Sequence, residues 1–420
     1  MPEWVHTLGG DTKSLLIAIF GSVAGAIIGG VIKWLLERKM IEVLKQERVA
    51  ARKDRQAAID GLESALKERE RALNDLAARE AENQERQRKL DELQRELDRN
   101  TQGVAGEKSK LNKLLTTLRG NDAGLWTTFP KVLPFSDYDT RIARRKPLII
   151  TIANNKGGVS KTTITGNLLA FFDNQLKLKV LAIDLDYQGS LSTMLRAEQD
   201  QAEARESNVN ALLERGAGLG SLYAATRRLG QRLPRSELAS AFYELALLED
   251  RLMVEWLLQE GGDDIRYRLA NVLLQDGIHE KFDVVLIDCP PRLTTGTINA
   301  LCASTHVLVP TIFNPIAAEP VANFIQSSKG LMDVLNPKLE FLGVVETMSP
   351  RANEGQDTRA EGRRVIAETL KSGFPGISIL QSNIPRRAAF ADGGVAYLDN
   401  SEARTIFNTL GNEIKGKVGL

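Results

Sequence analysis

The chain has 420 residues, a net charge of +1, and 26% charged residues. That length exceeds one compact domain, and the charge balance excludes a uniformly basic nucleic-acid binder. Two cysteines, Cys289 and Cys302, cannot build a disulfide framework and lack zinc or iron–sulfur spacing, so a reducing compartment fits best.

From Leu15 to Ile32 no residue is charged, and Ser22 is the single polar side chain. Carried on to Leu36, the run has about 22 residues, roughly 33 Å as a helix, which is enough to cross a bilayer. Residues 14–36 therefore read as a transmembrane helix behind a short external N-terminus, 1–13. The cations Lys33, Arg38, Lys39, Lys45 and Arg48 follow the apolar run. A signal peptide would carry them ahead of it, and their position places everything downstream in the cytoplasm. The expected location is the inner (cytoplasmic) membrane, with a single pass. Gly21, Gly25 and Gly29 share one helix face, where a second helix could approach closely, although glycine is common in membrane helices in any case.

Residues 37–119 read as a helical, coiled-coil stalk. Over 37–100 there are sixteen basic and sixteen acidic residues, no proline and one glycine, Gly61. Ile59, Leu62, Leu66, Leu73 and Leu76 fit heptad positions, and Leu90, Leu93 and Leu97 resume the stripe. Glu80, Asn83 and Gln87 interrupt it, which weakens the pairing. A solvated single helix held by charge pairs is the alternative. Residues 120–146 read as a linker with Gly120, Gly124, Pro130 and Pro134. Its aromatic residues Trp126, Phe129 and Phe135 are expected to pack onto the domain that follows.

That domain, 147–420, opens with the apolar run Leu148-Ile149-Ile150-Thr151-Ile152, a buried strand by its β-branched content. Next come Asn154-Asn155-Lys156-Gly157-Gly158-Val159-Ser160-Lys161-Thr162-Thr163 and a helical pattern from Ile164 to Phe172. Strand, glycine-rich turn, Lys-Thr and helix form the setting of a phosphate-binding loop. Backbone N–H groups and the helix N-terminus cradle the phosphates. Lys161 would neutralise the β- and γ-phosphates, and the Thr162 hydroxyl would ligate Mg²⁺.

The strict G-x-x-x-x-G-K-S/T pattern fails at Asn155 and Ser160. The chain matches K-G-G-x-x-K-S/T-T instead, and so resembles the ParA/MinD family with its deviant phosphate loop. Three further segments resemble that family in the same order. They are Val180-Leu-Ala-Ile-Asp184-Leu-Asp186-Tyr-Gln-Gly-Ser, Phe282-Asp-Val-Val-Leu-Ile-Asp288-Cys-Pro-Pro, and Ser382-Asn-Ile-Pro385-Arg386 with Ala391-Asp-Gly393. The likeness spans about residues 148–411 and implies a mostly parallel, doubly wound α/β P-loop sheet. It implies ATP as substrate, Mg²⁺ as cofactor and a homodimer. Lys156 resembles the signature lysine that crosses to the partner's γ-phosphate. Asp186 resembles the residue that orients the attacking water, and Asp288 the outer support for Mg²⁺. Asp184 reads equally as an aid to the metal region or as a structural acceptor. Pro385 and Arg386 fall where the family shapes its adenine pocket. With Gly157, Gly158, Val159, Ser160 and Thr163 these complete the expected ATP site.

Two departures stand out. Ser160 replaces a glycine, so the turn must tolerate a Cβ, and Tyr187 stands where proline is usual. Leu212 to Leu274 reads as mostly helical, a flank of the sheet enlarged into a partner surface. The stripe Ile406, Phe407, Leu410 and Ile414 reads as a packed final helix.

Within the resembled family ATP closes the dimer and hydrolysis opens it. A membrane anchor then points to a fixed platform that regulates or positions an unidentified protein partner. Three alternatives stand beside it. One is a slow nucleotide-binding scaffold in a membrane or defence assembly. Another is a partitioning ATPase that binds DNA through Arg351, Arg359, Arg363, Arg364, Arg386 and Arg387. Glu354, Asp357 and Glu361 lie among those arginines, which favours an ordinary solvated face. The third is a bacterial tyrosine kinase, against which the segment Asn412 to Leu420 offers no tyrosine.

Overall fold

The apolar run at Leu148–Ile152 forms strand β1, buried along its whole length, as a central strand covered on both faces must be. Val180–Asp184 (β2) and Val284–Asp288 (β5) repeat that pattern. Thr226–Arg228 (β3), Ser236–Ala239 (β4), His306–Ile312 (β6), Glu340–Ser349 (β7) and Ile379–Pro385 (β8) complete an eight-stranded sheet. Its order is β3-β4-β2-β5-β1-β6-β7-β8. All neighbours are parallel except β3 and β4. These coordinates come from a computed structural model that describes residues 86–87, 89–90, 122–200, 207–258, 262–349, 356–391 and 393–420.

The side chains alternate, so the sheet feeds two cores. Ile149, Leu181, Ile183, Val285 and Ile287 face one; Leu148, Ile150, Val180, Val284 and Leu286 face the other. The first is covered by the helices Glu244–Leu258 (α2), Thr295–Ala303 (α3), Ala318–Leu335 (α4) and Gln356–Gly373 (α5). The second is covered by Lys161–Ala170 (α1) and Ser401–Val418 (α6). Phe407, Leu410 and Ile414 are fully buried in the second core, so the final helix packs on the domain as its stripe requires.

The chain divides into two units at Thr116 and Thr117, and the sheet belongs to the second. The expected membrane helix (14–36) lies outside the described residues, as does nearly all of the expected stalk. The four stalk residues that are described, Arg86, Gln87, Lys89 and Leu90, are helical. Among the described residues no helix is long and apolar enough to cross a membrane.

Two expectations need amendment. The stretch Leu212 to Leu274 is not simply helical: β3 and β4 lie inside it and extend the sheet beyond β2. Pairing with β2 overrides the weak β-propensity of Ser-Glu-Leu-Ala. The segment read as a linker is folded onto the domain. It forms short helices at Asp122–Trp126 and Tyr138–Ala143, and Trp126 and Tyr138 are fully buried. Phe129 meets the Trp256 ring edge-on at 4.9 Å, and Phe135 packs against the same core, as those aromatics were expected to do.

α6 approaches the core closely at Gly411, where an added Cβ would run into the Phe171 ring. Gly411→Ala is therefore expected to destabilise the fold by about 1–3 kcal/mol through overpacking. A lower Tm with unchanged nucleotide affinity is the predicted result; an unchanged Tm would contradict this packing.

Candidate active site

The parallel register lines up the ends of three strands. Ile152 of β1 pairs with Asp288 of β5, and Asp288 pairs with Asp184 of β2. Two carboxylates thus sit on adjacent strands, about 5 Å apart along the hydrogen-bonding direction, at the carboxyl edge where open α/β sheets place their ligands.

The loop Asn154–Ser160 leaves β1 at that edge and delivers the chain into α1. Buried Asn154 fixes its start, donating from Nδ2 to the Pro310 carbonyl of β6 at 2.8 Å and accepting from the Lys156 N–H at 3.1 Å. Val159 is fully buried and anchors the middle. Gly157 and Gly158 are exposed, and Gly158 adopts a φ of 69°. Ser160 also sits in the left-handed region, at φ 62° and ψ 27°. The Cβ that the sequence asked the turn to tolerate is therefore held at a strain of about 1–2 kcal/mol. The N–H groups opening α1 face the edge that the loop encloses.

Lys161 is 93% buried, with 7% of its surface exposed, and its Nζ donates to the Lys156 carbonyl at 3.1 Å. Burial pulls its pKa down, and the nearby carboxylates of Asp288 and Asp186 oppose that shift. The Thr162 hydroxyl donates to Asp288 Oδ2 at 2.7 Å. Lys156 and Thr163 are half-buried beside them. Asp184 accepts from the Ser192 N–H at 2.9 Å, the Ser192 hydroxyl at 2.7 Å and the Asp186 N–H at 3.1 Å. Asp186 is half-buried and closes a turn by accepting from the Gln188 N–H at 3.0 Å.

Burial pushes the Asp184 pKa up to about 7, against the hydrogen bonds from Ser192. Asp288 is driven well above the usual carboxylate range by burial and then by Asp184. Two buried acids in register, with Asp288 accepting from the Thr162 and Thr165 hydroxyls, form a site short of positive charge. Oxygen donors so arranged fit a hard divalent cation such as Mg²⁺, held through Thr162 with Asp288 behind it. Asp184 already accepts three hydrogen bonds from Ser192 and Asp186, and this favours its structural reading. Among the described residues no group of three or more His, Cys, Asp or Glu side chains forms a metal cage. Few protein ligands are also what Mg²⁺ beside substrate phosphates requires. Cys289 and Cys302 are free and buried.

The structure therefore brings the phosphate loop, Asp184, Asp186 and Asp288 together. Pro385 and Arg386 stand apart from them, at the carboxyl end of β8, three strands from β1. That is about 14 Å across the sheet, a span that suits the base end of a nucleotide. The Arg386 N–H donates to the Ser349 carbonyl at 3.0 Å.

Sequence reasoning missed Asn154, Ser192 and Glu249. Glu249 lies on α2, accepts from the Gly296 N–H at 2.7 Å, and is pushed by burial to a pKa of about 7. Its signal was an acid on the inward stripe of Leu245, Leu248 and Leu252. Asn154 and Ser192 carry no spacing that marks them without the fold. Of the arginines weighed for DNA, Arg351 lies outside the described residues. Arg359 and Arg363 pair with buried Glu346, Arg364 with Glu361 and Glu368, and Arg387 with Glu402.

A family profile described as an AAA domain matches residues 148–341. The chain is 30% identical over 249 residues to the chromosome partitioning protein ParA of Caulobacter vibrioides, covering 58% of this chain and 82% of that one. It is 31% identical over 252 residues to the chromosome-partitioning ATPase Soj of Thermus thermophilus, covering 59% and 85% respectively. The fold is similar to that of apo McdA from Cyanothece, with a TM-score of 0.52 at 19% identity, covering 65% of this chain and 99% of McdA.

The raised Asp184 pKa has a measurable sign. A carboxyl that titrates near 4 when unfolded and at about 7 when folded stabilises the fold below pH 4, and that share is lost as pH rises to 7. In EDTA, Asp184→Asn, which cannot titrate, should therefore gain Tm relative to the wild type across that window. A flat or shrinking difference would contradict the assignment.

Proposed function

The chain belongs to the ParA/Soj family of P-loop ATPases, and from that premise we propose that it is a membrane-anchored, ATP-hydrolysing switch. ATP would bind in the Asn154–Thr163 loop, with its base toward Pro385 and Arg386, and two heads would close around two nucleotides. The observation that carries this reading is the Thr162–Asp288 hydrogen bond at 2.7 Å beside a buried Lys161.

Each residue then has a physical task. Lys161 and the loop N–H groups would hold the β- and γ-phosphates, and Thr162, supported by Asp288, would hold Mg²⁺, which when bound screens phosphate charge. Lys156, half-buried at the mouth of the loop, reaches across to the partner's γ-phosphate and stabilises negative charge that grows during hydrolysis. Asp186 orients the water. Burying the phosphates between heads strengthens each of these contacts by excluding solvent. The product ADP offers Lys156 no γ-phosphate, so the heads part.

The anchor rests on the uncharged run Leu15 to Ile32 and the cations behind it. It would fix the protein to the inner membrane with its ATPase domain in the cytoplasm, and residues 37–119 would carry the heads as a paired stalk. A tethered switch cannot release from its membrane, so its ATP state would regulate or position a partner complex there. Chromosome partitioning is named for two relatives, which favours moving a DNA or protein cargo as the second reading. Against DNA, Arg359, Arg363, Arg364 and Arg387 are engaged in ion pairs within the chain.

Lys161→Ala should weaken ATP binding by more than about tenfold, the loss of one charge-assisted phosphate contact. Asp186→Ala should still bind ATP and accumulate as dimers in light scattering. Equal loss of binding in both variants would contradict the assignment. In cell fractionation the full chain should resist alkaline extraction from membranes, and deletion of 14–36 should release it. Full-length protein that partitions to the soluble fraction would remove the anchor.

A further inference from the structure

The segment just ahead of the ATPase sheet is bound to the loop that leaves Asp288. Trp126 donates from Nε1 to the Leu293 carbonyl at 3.3 Å, five residues beyond Asp288. Its ring stacks on Trp256 of α2, with centroids 6.3 Å apart. The segment is held firmly. Buried Arg266 donates to the carbonyls of Trp126 at 2.5 Å, Phe129 at 3.3 Å and Pro130 at 3.0 Å. Asp264, ion-paired with Arg266 at 2.6 Å, accepts from the Val132 N–H at 3.0 Å. Arg266 also lies over the Trp256 ring, 4.3 Å from its centroid.

The same α2 grips the other end of the loop. Glu249 accepts from the Gly296 N–H and hydrogen-bonds to the Thr294 side chain, while Thr294 caps α3 by accepting from the Thr297 N–H at 3.4 Å. Residues 289–294 are thus fastened at Asp288 to the phosphate loop through Thr162, at Leu293 to Trp126, and at Thr294 and Gly296 to α2. Displacing Asp288 strains these bonds, and moving Trp126 pulls on the loop. The Nε1 of Trp256 is buried and has no acceptor among the described residues.

We propose that Trp126 is a positioning residue for the Asp288 loop, and that through it the segment 122–135 and the nucleotide site set each other's state. The inference rests on the ATPase reading above and deepens it. The coupling is reciprocal: nucleotide that biases the loop must bias the segment by the same free energy. The segment is where the N-terminal third of the chain joins the domain, so a partner that loads that region would regulate hydrolysis from outside the site.

Trp126→Phe keeps an aromatic ring against Trp256 and removes only the N–H donor. In the full-length chain, assayed well below its Tm, kcat for ATP should fall about fivefold, the effect of one lost hydrogen bond, with KM held within about twofold. Hydrogen exchange at residues 124–132 should change in the wild type when ATP and Mg²⁺ are added, and change less in the variant. Wild-type exchange unmoved by bound ATP, with unaltered turnover in Trp126→Phe, would overturn the coupling. A fall in kcat accompanied by faster nucleotide-free exchange across the whole domain would overturn it too, since that marks general loss of structure. Wild-type protein that binds no ATP would overturn the ATPase reading itself, and this inference with it.

Discussion

The structure depends on two carboxylates held side by side where neither can be well hydrated. Parallel pairing of β2 with β5 sets Asp184 and Asp288 in the same register row, and burial makes both reluctant to carry charge. Ser192 and the Asp186 N–H relieve Asp184, and Thr162 relieves Asp288. The remaining want is for positive charge, which Lys161 meets only in part, and a divalent cation at Thr162 would complete it.

Local chemistry made this part of the chain readable before any fold was known. Leu148 to Phe172 carries its strand, turn and helix signals in order, because each is dictated by near neighbours: β-branched residues, glycines, then a periodic apolar stripe. Asp184 and Asp288 stand out because each is an acid that ends a run of aliphatic residues, although Asp184 serves there as a structural acceptor. The final helix was equally legible from Phe407, Leu410 and Ile414. What sequence could not supply was nonlocal. Ser236–Ala239 becomes a strand through pairing with Val180–Ile183, not through its own propensity. Trp126 and Leu293 lie 167 positions apart, and Asn154 reaches Pro310 across 156. No spacing rule joins them.

The departures from the family pattern also gain meaning. Ser160 holds a backbone conformation that glycine would adopt without strain, so the loop keeps its shape at a local cost. Tyr187 is exposed beside Asp186 and lies on the rim of the site. The segment after Gly120 proved to be part of the domain: the buried Arg266–Asp264 pair holds it. Trp126, within that segment, donates to the Leu293 carbonyl of the loop that leaves Asp288.

The proposed switch requires a triphosphate in the turn after β1 with a divalent cation against Thr162. Titration calorimetry of ATP into the full chain, with Mg²⁺ and again in EDTA, tests this most directly. Saturable binding of one ATP per chain that is lost or sharply weakened in EDTA is the predicted outcome. ATP binding indifferent to the metal, or none in either buffer, would contradict it.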